Sequence, residues 1–491
     1  MIRHASRGLF VAASLAMSST VVCSDVERAP AAAPTSPRAE GYAAVLIRDV
    51  PHVRQKPDFC GEACAEMYLR KRGAKIDQDQ VFNASGLDPL LGRGCYTADL
   101  QRALTQLGFK LPEVFAKVRV AELAADMESQ WKRLHAALVQ GVPSIVCMRF
   151  DQRPNTTEHF RLVLGYDPRT DEVIFHDPAV ETGAYLRMKR AEFLDLWPLK
   201  YAQNEWTIVR LQLDAQQIKP QAATAGFQAA DYCQHILGLK ERLPSKDFHV
   251  LIEPPFVVVG DEPLATVKQR SADTIQWAVR RLKPEYFAKD PDRIIDVWLF
   301  KDKEIYETNN KKLWNTTPTT PYGYYSATNR ALVMNISTGG GTLVHEIVHP
   351  FVRTNFPECP DWLNEGLGSL YEQCGEADGR IRGATNWRLA GLQKAIRTDR
   401  VPSFEQLCGA TGGAFYTADP GTNYAQARYL CYYLQEQGLL KKFYHAFQAN
   451  RRDDPTGHKT LKRILARDAA TIDMAEFKNE WQEYVMKLEF P

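Results

Sequence analysis

The chain has 491 residues, of which 45% are hydrophobic and 24% are charged. This balance is typical of globular protein and excludes a wholly disordered, collagen-like or disulfide-knot chain. The 61 Lys and Arg residues against 59 Asp and Glu residues give a net charge of +2, so no charge excess indicates a nucleic-acid partner. At about 150 residues per domain, the length predicts two or three domains.

Residues 1–24 are expected to form an export signal. Arg3 and Arg7 give a positive start, and the apolar stretch at 9–17 is shorter than the about 20 residues of a membrane-spanning helix. We therefore expect an exported bacterial protein in the periplasm, the cell envelope or the medium, without a transmembrane segment. Cys23 leaves an N-terminal lipid anchor open, while simple cleavage nearby is favoured.

Two stretches of biased composition divide the chain. Residues 25–40 are rich in Ala and Pro and predict a flexible tether, and residues 214–230 are rich in Ala and Gln. We expect the second stretch to link two domains of ordinary size, at 41–213 and 231–491. Contacts across such a linker are expected to be modest, so each half should fold alone when the chain is cut near residue 222.

The first domain alternates helical and strand patterns. Apolar residues at helical spacing predict helices at 60–72 and 97–107, each followed by glycine. Runs of β-branched and aromatic residues predict strands at 143–150, 159–165 and 172–176.

The second domain begins with strands and then becomes helical. Strands are predicted at 249–252, 256–260 and 294–300, with another inside 323–336, and a periodic helix at 264–282. After the glycine triplet 339–341, helical patterns continue at 342–354, 362–373, 384–397, 423–449 and 474–488.

The strongest chemical motif is His345-Glu-Ile-Val-His349. Positions i and i+4 share one face of a helix, so His345 and His349 can bind one metal ion while Glu346 faces its bound water. A zinc hydrolase also needs a third protein ligand and one open position for water. Glu358 and Asp361 follow nearby, but each lies in a Pro-flanked loop without a helix to fix it.

Downstream, Trp-Leu-Asn-Glu365-Gly completes a pair of motifs by which the C-terminal half resembles the gluzincin zinc metallopeptidases, the thermolysin and aminopeptidase-N clan. The resemblance implies that His345, His349 and Glu365 bind Zn²⁺ and that Glu346 is the general base. In such a site zinc polarises the scissile carbonyl and lowers the pKa of its bound water.

Further positions of this half follow from the same resemblance. Tyr424 lies where related enzymes carry an oxyanion donor, although three tyrosines follow it and such spacing is equally typical of a core. Related enzymes place an Asp four residues after the ligand Glu, where this chain has Ser369, so another group, with Glu372 a candidate, has to hold the zinc histidine. The strand near 331–335 is expected to be the edge strand that pairs with an extended peptide.

A second group of candidate residues lies in the first domain. Gln55 precedes Cys60-Gly-Glu-Ala-Cys64, which begins a predicted helix. The positive end of the helix dipole favours a thiolate at Cys60, and the Gln55 amide can form an oxyanion hole with the Cys60 backbone N–H. His159 begins one predicted strand and Asp177 ends the next, so adjacent strands would bring a general base and its carboxylate together.

With Gly141-Val-Pro143, the His-Phe-x-x-Val strand and the closing Asp-Pro, these residues resemble the papain-like cysteine peptidases typified by the bacteriocin-processing domains that cut after double-glycine leaders. The resemblance implies that Cys60 is the nucleophile, His159 the base, Asp177 its orienting carboxylate and Gln55 the oxyanion donor.

Three interpretations of this cysteine group stay open. It is a peptidase, an amidase acting on cell-wall peptides, or an inactive peptide-binding or regulatory module attached to the metallopeptidase. A disulfide from Cys64 to Cys60 or to Cys95 would favour the inactive module. His176, beside Asp177, competes with His159 as the base, although an ordinary strand residue is the favoured interpretation.

Together the two resemblances imply an α+β chain of two domains, a papain-like cysteine peptidase fold followed by a mostly helical zincin with a small N-terminal sheet. The expected function is an exported bifunctional peptidase with Zn²⁺ as cofactor and peptides or proteins as substrates. The non-enzymatic alternative makes both domains peptide-binding modules.

Overall fold

The computed structural model describes residues 41–215, 217–219, 225–410, 413–466 and 471–490. The expected export signal, the tether, Cys23 and part of the expected linker lie outside these residues. Within the described part of the chain, no helix is both long enough and apolar enough to cross a bilayer.

The N-terminal part is a seven-stranded sheet with helices on both faces. Its strands, with a separate β2–β9 pair, are β1 Val45–Leu46, β2 Phe109–Lys110, β3 Phe115–Arg119, β4 Ser144–Arg149, β5 Glu158–Asp167, β6 Glu172–His176, β7 Leu186–Lys189, β8 Glu205–Gln212 and β9 Asp214–Ala215. Its helices are α1 Cys60–Lys71, α2 Gln78–Ser85, α3 Thr97–Gln106, α4 Leu123–Val139 and α5 Arg190–Leu196. The strand order is β3-β8-β4-β5-β6-β7, with β1 paired to β5, and the neighbours are antiparallel.

Strand β5 separates two hydrophobic cores. Phe160 and Leu162 belong to the core under α1, α2 and α3, whereas Val163 and Tyr166 belong to the core under α4 and α5. Successive side chains of a strand point to opposite faces, so a sheet covered on both faces reads as the nearly continuous apolar run seen in the sequence.

The C-terminal part begins with a five-stranded sheet of order β10-β11-β12-β14-β13. Its strands are β10 His249–Glu253, β11 Phe256–Gly260, β12 Ile295–Phe300, β13 Gly323–Ser326 and β14 Ala331–Asn335, and β15 Cys374–Ala377 pairs with β16 Arg380–Gly383 further on. The helices are α6 Ala229–Lys240, α7 Leu264–Arg270, α8 Trp277–Tyr286, α9 Lys303–Trp314, α10 Gly341–Asn355, α11 Asp361–Leu370, α12 Arg388–Arg397, α13 Phe404–Gly409, α14 Ala414–Thr417, α15 Pro420–Glu436, α16 Leu440–Asn450, α17 His458–Ala466 and α18 Met474–Met486. The chain is thus an α+β protein whose C-terminal part is the more helical.

The expectation that 331–335 forms the edge strand is wrong. The stretch 323–336 folds into a hairpin, in which β14 lies between β12 and β13 and only β13 lies at the edge. Every residue of β14 is buried, because a central strand is covered on both faces, whereas three of the four residues of β13 are partly exposed. The edge that faces the following helix is therefore Gly323–Ser326.

Helix α6 belongs to both hydrophobic cores. Ala230 and Cys233 pack into the N-terminal core, while Tyr232, Ile236 and Leu239 pack against the C-terminal sheet. The helix presents one face to each half of the molecule, so cutting the chain before α6 does not separate two complete cores.

Polar contacts also join α6 to both halves of the molecule. The Asn83 side chain accepts from Ala230 N–H at 2.8 Å, and Gln234 donates to the Pro57 carbonyl at 2.9 Å. On the other side His235 lies against Asp296 of β12, a buried carboxylate. These contacts argue against the expectation that the two halves fold independently.

We therefore predict that a chain nicked at an inserted protease site near residue 222 stays together under native conditions. Size-exclusion chromatography should give one peak containing both fragments, because α6 continues to pack on both halves. Ala230→Asp places a charge in the N-terminal core and should weaken this association. Separation of the intact-sequence fragments without denaturant would contradict the shared role of α6.

Candidate functional site

Helices α10 and α11 bring together the side chains of the predicted metal motif. The ligand atoms of His345, Glu346 and His349 lie within 4.8 Å of one another. Glu365 Oε2, from α11, lies 3.1 Å from His345 Nε2 and 3.9 Å from His349 Nε2. Such a group can hold a metal ion.

The other nitrogen of each imidazole is occupied by a hydrogen bond. His345 Nδ1 donates to Glu372 Oε1 at 3.1 Å, and His349 Nδ1 donates to Asn364 Oδ1 at 3.0 Å. A proton on Nδ1 leaves the Nε2 lone pair free, which is the tautomer that a metal requires. Both imidazoles are therefore oriented for a shared ion, and the donor set fits a metal.

Glu372 is the carboxylate that holds His345, a role for which the sequence has Ser369 at the expected position. Arg388 holds both Glu372 carboxylate oxygens, at 2.7 and 3.0 Å. Burial opposes ionisation of Glu372, yet the hydrogen bonds from His345 and Arg388 outweigh it and lower its pKa to about 2. Burial likewise opposes protonation of His345, but the hydrogen bonds to Glu365 and Glu372 raise its pKa to about 10. Glu365 and Glu372 therefore stabilise positive charge at His345.

Two glycines allow the close packing at this site. A Cβ at Gly368 would lie 2.9 Å from the His345 ring, and a Cβ at Gly341 would lie 2.1 Å from the Glu372 carbonyl oxygen. Both distances are shorter than carbon contacts allow, so larger residues would push α11 and Glu372 away from α10.

A groove of about 1160 Å³ runs past the metal cluster. Its walls are β13, the glycine triplet before α10, α10 itself, Trp387, Arg388 and Tyr424. The Tyr424 ring centre lies 5.1 Å from Arg388 Cζ, and burial, followed by the charge of Glu365, raises the Tyr424 pKa. Tyr429, by contrast, is buried and hydrogen-bonded to Asn386. Tyr424 thus faces the groove, while its neighbour Tyr429 is a core residue.

Cys60 is the first residue of α1 and is partly exposed. Burial of its sulfur raises the pKa of Cys60 to about 12; Glu62 and Asp58 act in the same direction, and the Phe160 backbone N–H opposes them. The helix N-terminus alone predicts a lowered pKa. In this structure burial and the two acids outweigh the backbone N–H groups of Phe160 and Gly61, which favours the thiol form of Cys60.

The predicted base and carboxylate meet across β5 and β6. His159 Nε2 donates to Asp177 Oδ1 at 2.7 Å, and Arg161, two residues along β5, donates to Asp177 Oδ2 at 2.9 Å. Gln55 lies beside the same turn, where its backbone N–H donates to the Pro178 carbonyl at 3.0 Å. The side-chain Oε1 of Gln55 is buried without a hydrogen-bond partner.

Within the described residues, no hydrogen bond joins Cys60 to His159. His159 is paired with Met148, which faces the α4 core, whereas Phe160 faces the α1 core that Cys60 adjoins. The Phe160 backbone N–H, next to His159, nevertheless acts on the Cys60 sulfur. The structure thus forms the His159–Asp177 pair and places the thiol beside the start of the same strand, without a hydrogen bond between Cys60 and His159 among the described residues.

The disulfides considered from sequence are not formed. Cys60, Cys64 and Cys95 are free, as are the other described cysteines, and the Cys64 thiol donates to the Phe160 carbonyl at 3.6 Å. Cys23 lies outside the described residues.

His176 is buried among side chains rather than in a hydrogen-bonded site. Its ring centre lies 4.5 Å from that of Tyr185 and 5.7 Å from that of His52, and neither ring nitrogen has a hydrogen-bond partner among the described residues. Burial, followed by the charge of His52, lowers the pKa of His176 to about 4. His159, which bonds Asp177, is therefore the better candidate for the base.

Sequence reasoning missed several residues of these sites. Asn364 holds His349, and the Tyr416 hydroxyl donates to Glu365 Oε1 at 2.9 Å. Arg388 and Arg161 each hold a carboxylate that orients a histidine. Only Asn364 could have been found from the sequence, because it directly precedes Glu365 in the recognised motif. The other residues lie far from the motifs in the sequence or belong to no motif.

Comparison with known proteins supports a peptidase assignment for the N-terminal part. Residues 47–205 match the model of the Peptidase_C39 like family, which indicates a peptidase. Of 22 solved chains with significant similarity, one is the peptidase domain of Streptococcus ComA, a bi-functional ABC transporter involved in quorum sensing. That alignment has 16% identity, covers 35% of this chain and 100% of the other, and has a TM-score of 0.23. No curated protein matches the chain significantly.

We predict that Glu372→Gln weakens metal binding by roughly 10–100-fold, because the amide is a weaker acceptor for the His345 proton and leaves Arg388 without its charge partner. A competitive chelator titration with zinc measures this. Glu376→Gln is the matched control, since Glu376 pairs with Arg281 away from the cluster. Equal affinities for wild type and Glu372→Gln would contradict the role of Glu372.

His176 should make the protein sensitive to acid. Its folded pKa of about 4 lies below the ordinary 6.5, so the unfolded chain takes up a proton first and stability falls as pH drops from about 6.5 to 4. At pH 5 the loss is about 2 kcal/mol. Urea denaturation at pH 7 and pH 5 should show a smaller acid loss for His176→Leu than for wild type. The exposed His445→Leu serves as the control, and identical losses in all three proteins would contradict the prediction.

Proposed function

We propose that the chain is a zinc-dependent peptidase whose catalytic centre is the cluster on α10 and α11. The observation that carries the proposal is the convergence of His345 Nε2, His349 Nε2 and Glu365 Oε2, with both Nδ1 atoms bound elsewhere. Two imidazoles and one carboxylate are a typical ligand set of catalytic zinc, which keeps a fourth position for water.

Glu365 is the third ligand in this proposal and Glu346 is the base. Glu365 Oε2 approaches both imidazoles, while its Oε1 accepts from Tyr416, so the carboxylate is fixed in place. Glu346 Oε2 lies 3.7 Å from His349 Nε2, and Glu346 lines the groove. The alternatives do not join the cluster: Glu358 is exposed, and Asp361 begins α11 and receives the Tyr416 hydroxyl at 3.4 Å.

The residues of the groove divide the work of peptide hydrolysis. When bound, zinc supplies a Lewis acid and lowers the pKa of its water to about 7. Glu346 accepts the proton of that water, and burial raises the pKa of this carboxyl, which makes it a stronger base. Tyr424 donates to the developing oxyanion. The free edge of β13 pairs with the extended backbone of the substrate.

A second candidate activity is peptide hydrolysis by the N-terminal part. The match of residues 47–205 and the His159–Asp177 hydrogen bond favour it. In this role Cys60 is the nucleophile and Gln55 the oxyanion donor, and Cys60 must approach His159 and lose its proton when substrate binds. An amidase acting on cell-wall peptides and an inactive binding module are the alternatives. Export of the chain, expected from residues 1–24, is part of the proposal.

The two activities can be separated by single substitutions. Glu346→Gln keeps the ligands, so it should retain zinc but lose at least roughly 100-fold in zinc-dependent cleavage of a peptide library. Cys60→Ala should leave that cleavage unchanged and abolish any cleavage that survives a chelator and responds to a thiol alkylator. Glu358→Gln, an exposed acid of the same half, is the control. Normal turnover by Glu346→Gln would contradict the zinc proposal. Chelator-resistant cleavage that is unchanged in Cys60→Ala, or absent from wild type, would make the N-terminal part a binding module.

A further inference from the structure

The charges that line the zinc groove do not balance. Its carboxylates are Glu346, Glu365 and Glu372, and its cationic side chains besides the two histidines are Arg353 and Arg388. With Zn²⁺ bound by neutral imidazoles, the three negative charges offset the metal and one arginine. One positive charge is left over.

The charge of Arg388 is already paired within the protein. It holds both oxygens of Glu372 and lies against two aromatic rings, with Cζ 4.3 Å from the centre of Trp387 and 5.1 Å from that of Tyr424. A guanidinium fixed by a carboxylate and two rings has few donors left for a substrate.

Arg353 is different. It lies on α10 one turn beyond His349, at the spacing that places both residues on the same face as His345. Its side chain is exposed to the groove, and among the described residues it makes no ion pair and no side-chain hydrogen bond. An unpaired guanidinium beside a reaction centre is a ready site for a carboxylate.

The field of Arg353 reaches the opposite wall of the groove. Burial raises the pKa of Tyr325, on edge strand β13, and the charge of Arg353 acts against that rise. Asp292 acts on the same hydroxyl in the other direction, but it does not line the groove. A peptide lying between β13 and α10 would therefore meet the Arg353 charge, because the carboxylates of the groove wall, Glu346, Glu365 and Glu372, belong to the metal cluster.

We propose that Arg353 binds a carboxylate of the substrate, so that the zinc site prefers peptides with an acidic group near the scissile bond. The proposal rests on the zinc peptidase function above. One helical turn of about 6 Å separates Arg353 from His349, and an extended peptide advances about 3.3 Å per residue, so the carboxylate lies about two residues from the cleaved bond. An Asp or Glu side chain and a free C-terminus both supply this group.

The test uses two sets of synthetic decapeptides. Within each set the peptides differ only at one position, which holds Asp, Asn or Lys. That position lies two residues before the bond that wild type cleaves in one set and two residues after it in the other. Each peptide is made with a free or an amidated C-terminus, so the two sources of carboxylate are distinguished. Dissociation constants are measured with zinc-loaded Glu346→Gln protein, which binds without turnover, and kcat/KM is measured with wild type. Asp or a free C-terminus should bind roughly tenfold more tightly than its neutral counterpart.

Arg353→Ala should remove the preference for the carboxylate. It is combined with Glu346→Gln for the binding measurements and made alone for turnover. Arg353→Glu should change the preference to Lys, and both variants should keep the zinc content of wild type. Arg397→Ala is the matched control, since Arg397 also is an exposed arginine in the last turn of a helix but lies outside the groove. Cleavage of neutral and acidic peptides at equal rates and with equal affinity would overturn the role of Arg353 and leave the peptidase intact. Absence of zinc-dependent cleavage of every peptide would overturn the proposed function itself, and the binding arm would still decide the carboxylate preference.

Discussion

The C-terminal half depends on the close approach of α10 and α11 at the His345 ring. The approach is possible because Gly368 has no side chain, and it is held because Arg428 of α15, fully buried, donates to the Ser369 carbonyl at 2.9 Å and to the Leu370 carbonyl at 3.4 Å. Arg428 thus binds carbonyls at the end of α11, where few partners remain within the helix, and so fixes the position from which Glu372 reaches back to His345. The geometry of the metal cluster is therefore set in part by packing at the end of α11, about one turn beyond Glu365.

The two candidate sites treat negative charge in opposite ways. At the metal cluster each carboxylate faces imidazoles, an arginine or a tyrosine hydroxyl, so a buried group of acids is compatible with folding and attracts a cation. At the cysteine site Glu62 and Asp58 lie near the Cys60 sulfur, and they add to the burial that raises the pKa of its thiol. The first arrangement is ready for its ion, whereas the second needs a change in the surroundings of Cys60.

Local patterns predicted much of this arrangement. The helix that carries His345 and His349, the strands that carry His159 and precede Asp177, and most strands of the second sheet were predictable because each depends on periodicity within one segment. Relations between segments were harder. The sequence does not reveal that 323–336 turns back as a hairpin, because one apolar run inside it hides a second, half-exposed strand.

The same limit applies to the sites. A helix N-terminus at Cys60 predicts a thiolate, but the opposing effect comes from burial and from acids whose proximity only the fold determines. Arg388, Tyr416 and Arg161 complete the sites from helices and strands without a recognisable motif, and composition at 214–230 indicates a linker although α6 joins the two cores just beyond it. The spacing of residues predicts the structure of one segment, whereas the packing between segments determines which residues form a site.

The most direct measurement of the central claim is X-ray absorption at the zinc K-edge of the zinc-loaded protein. The account predicts a first shell of nitrogen and oxygen at about 2.0–2.2 Å, with the outer-shell scattering of two imidazoles and room for one water. His345→Ala should lose one imidazole contribution, and Glu365→Gln should lengthen or remove one oxygen. A sulfur shell at about 2.3 Å, or an unchanged spectrum in both variants, would place the metal elsewhere and contradict the account.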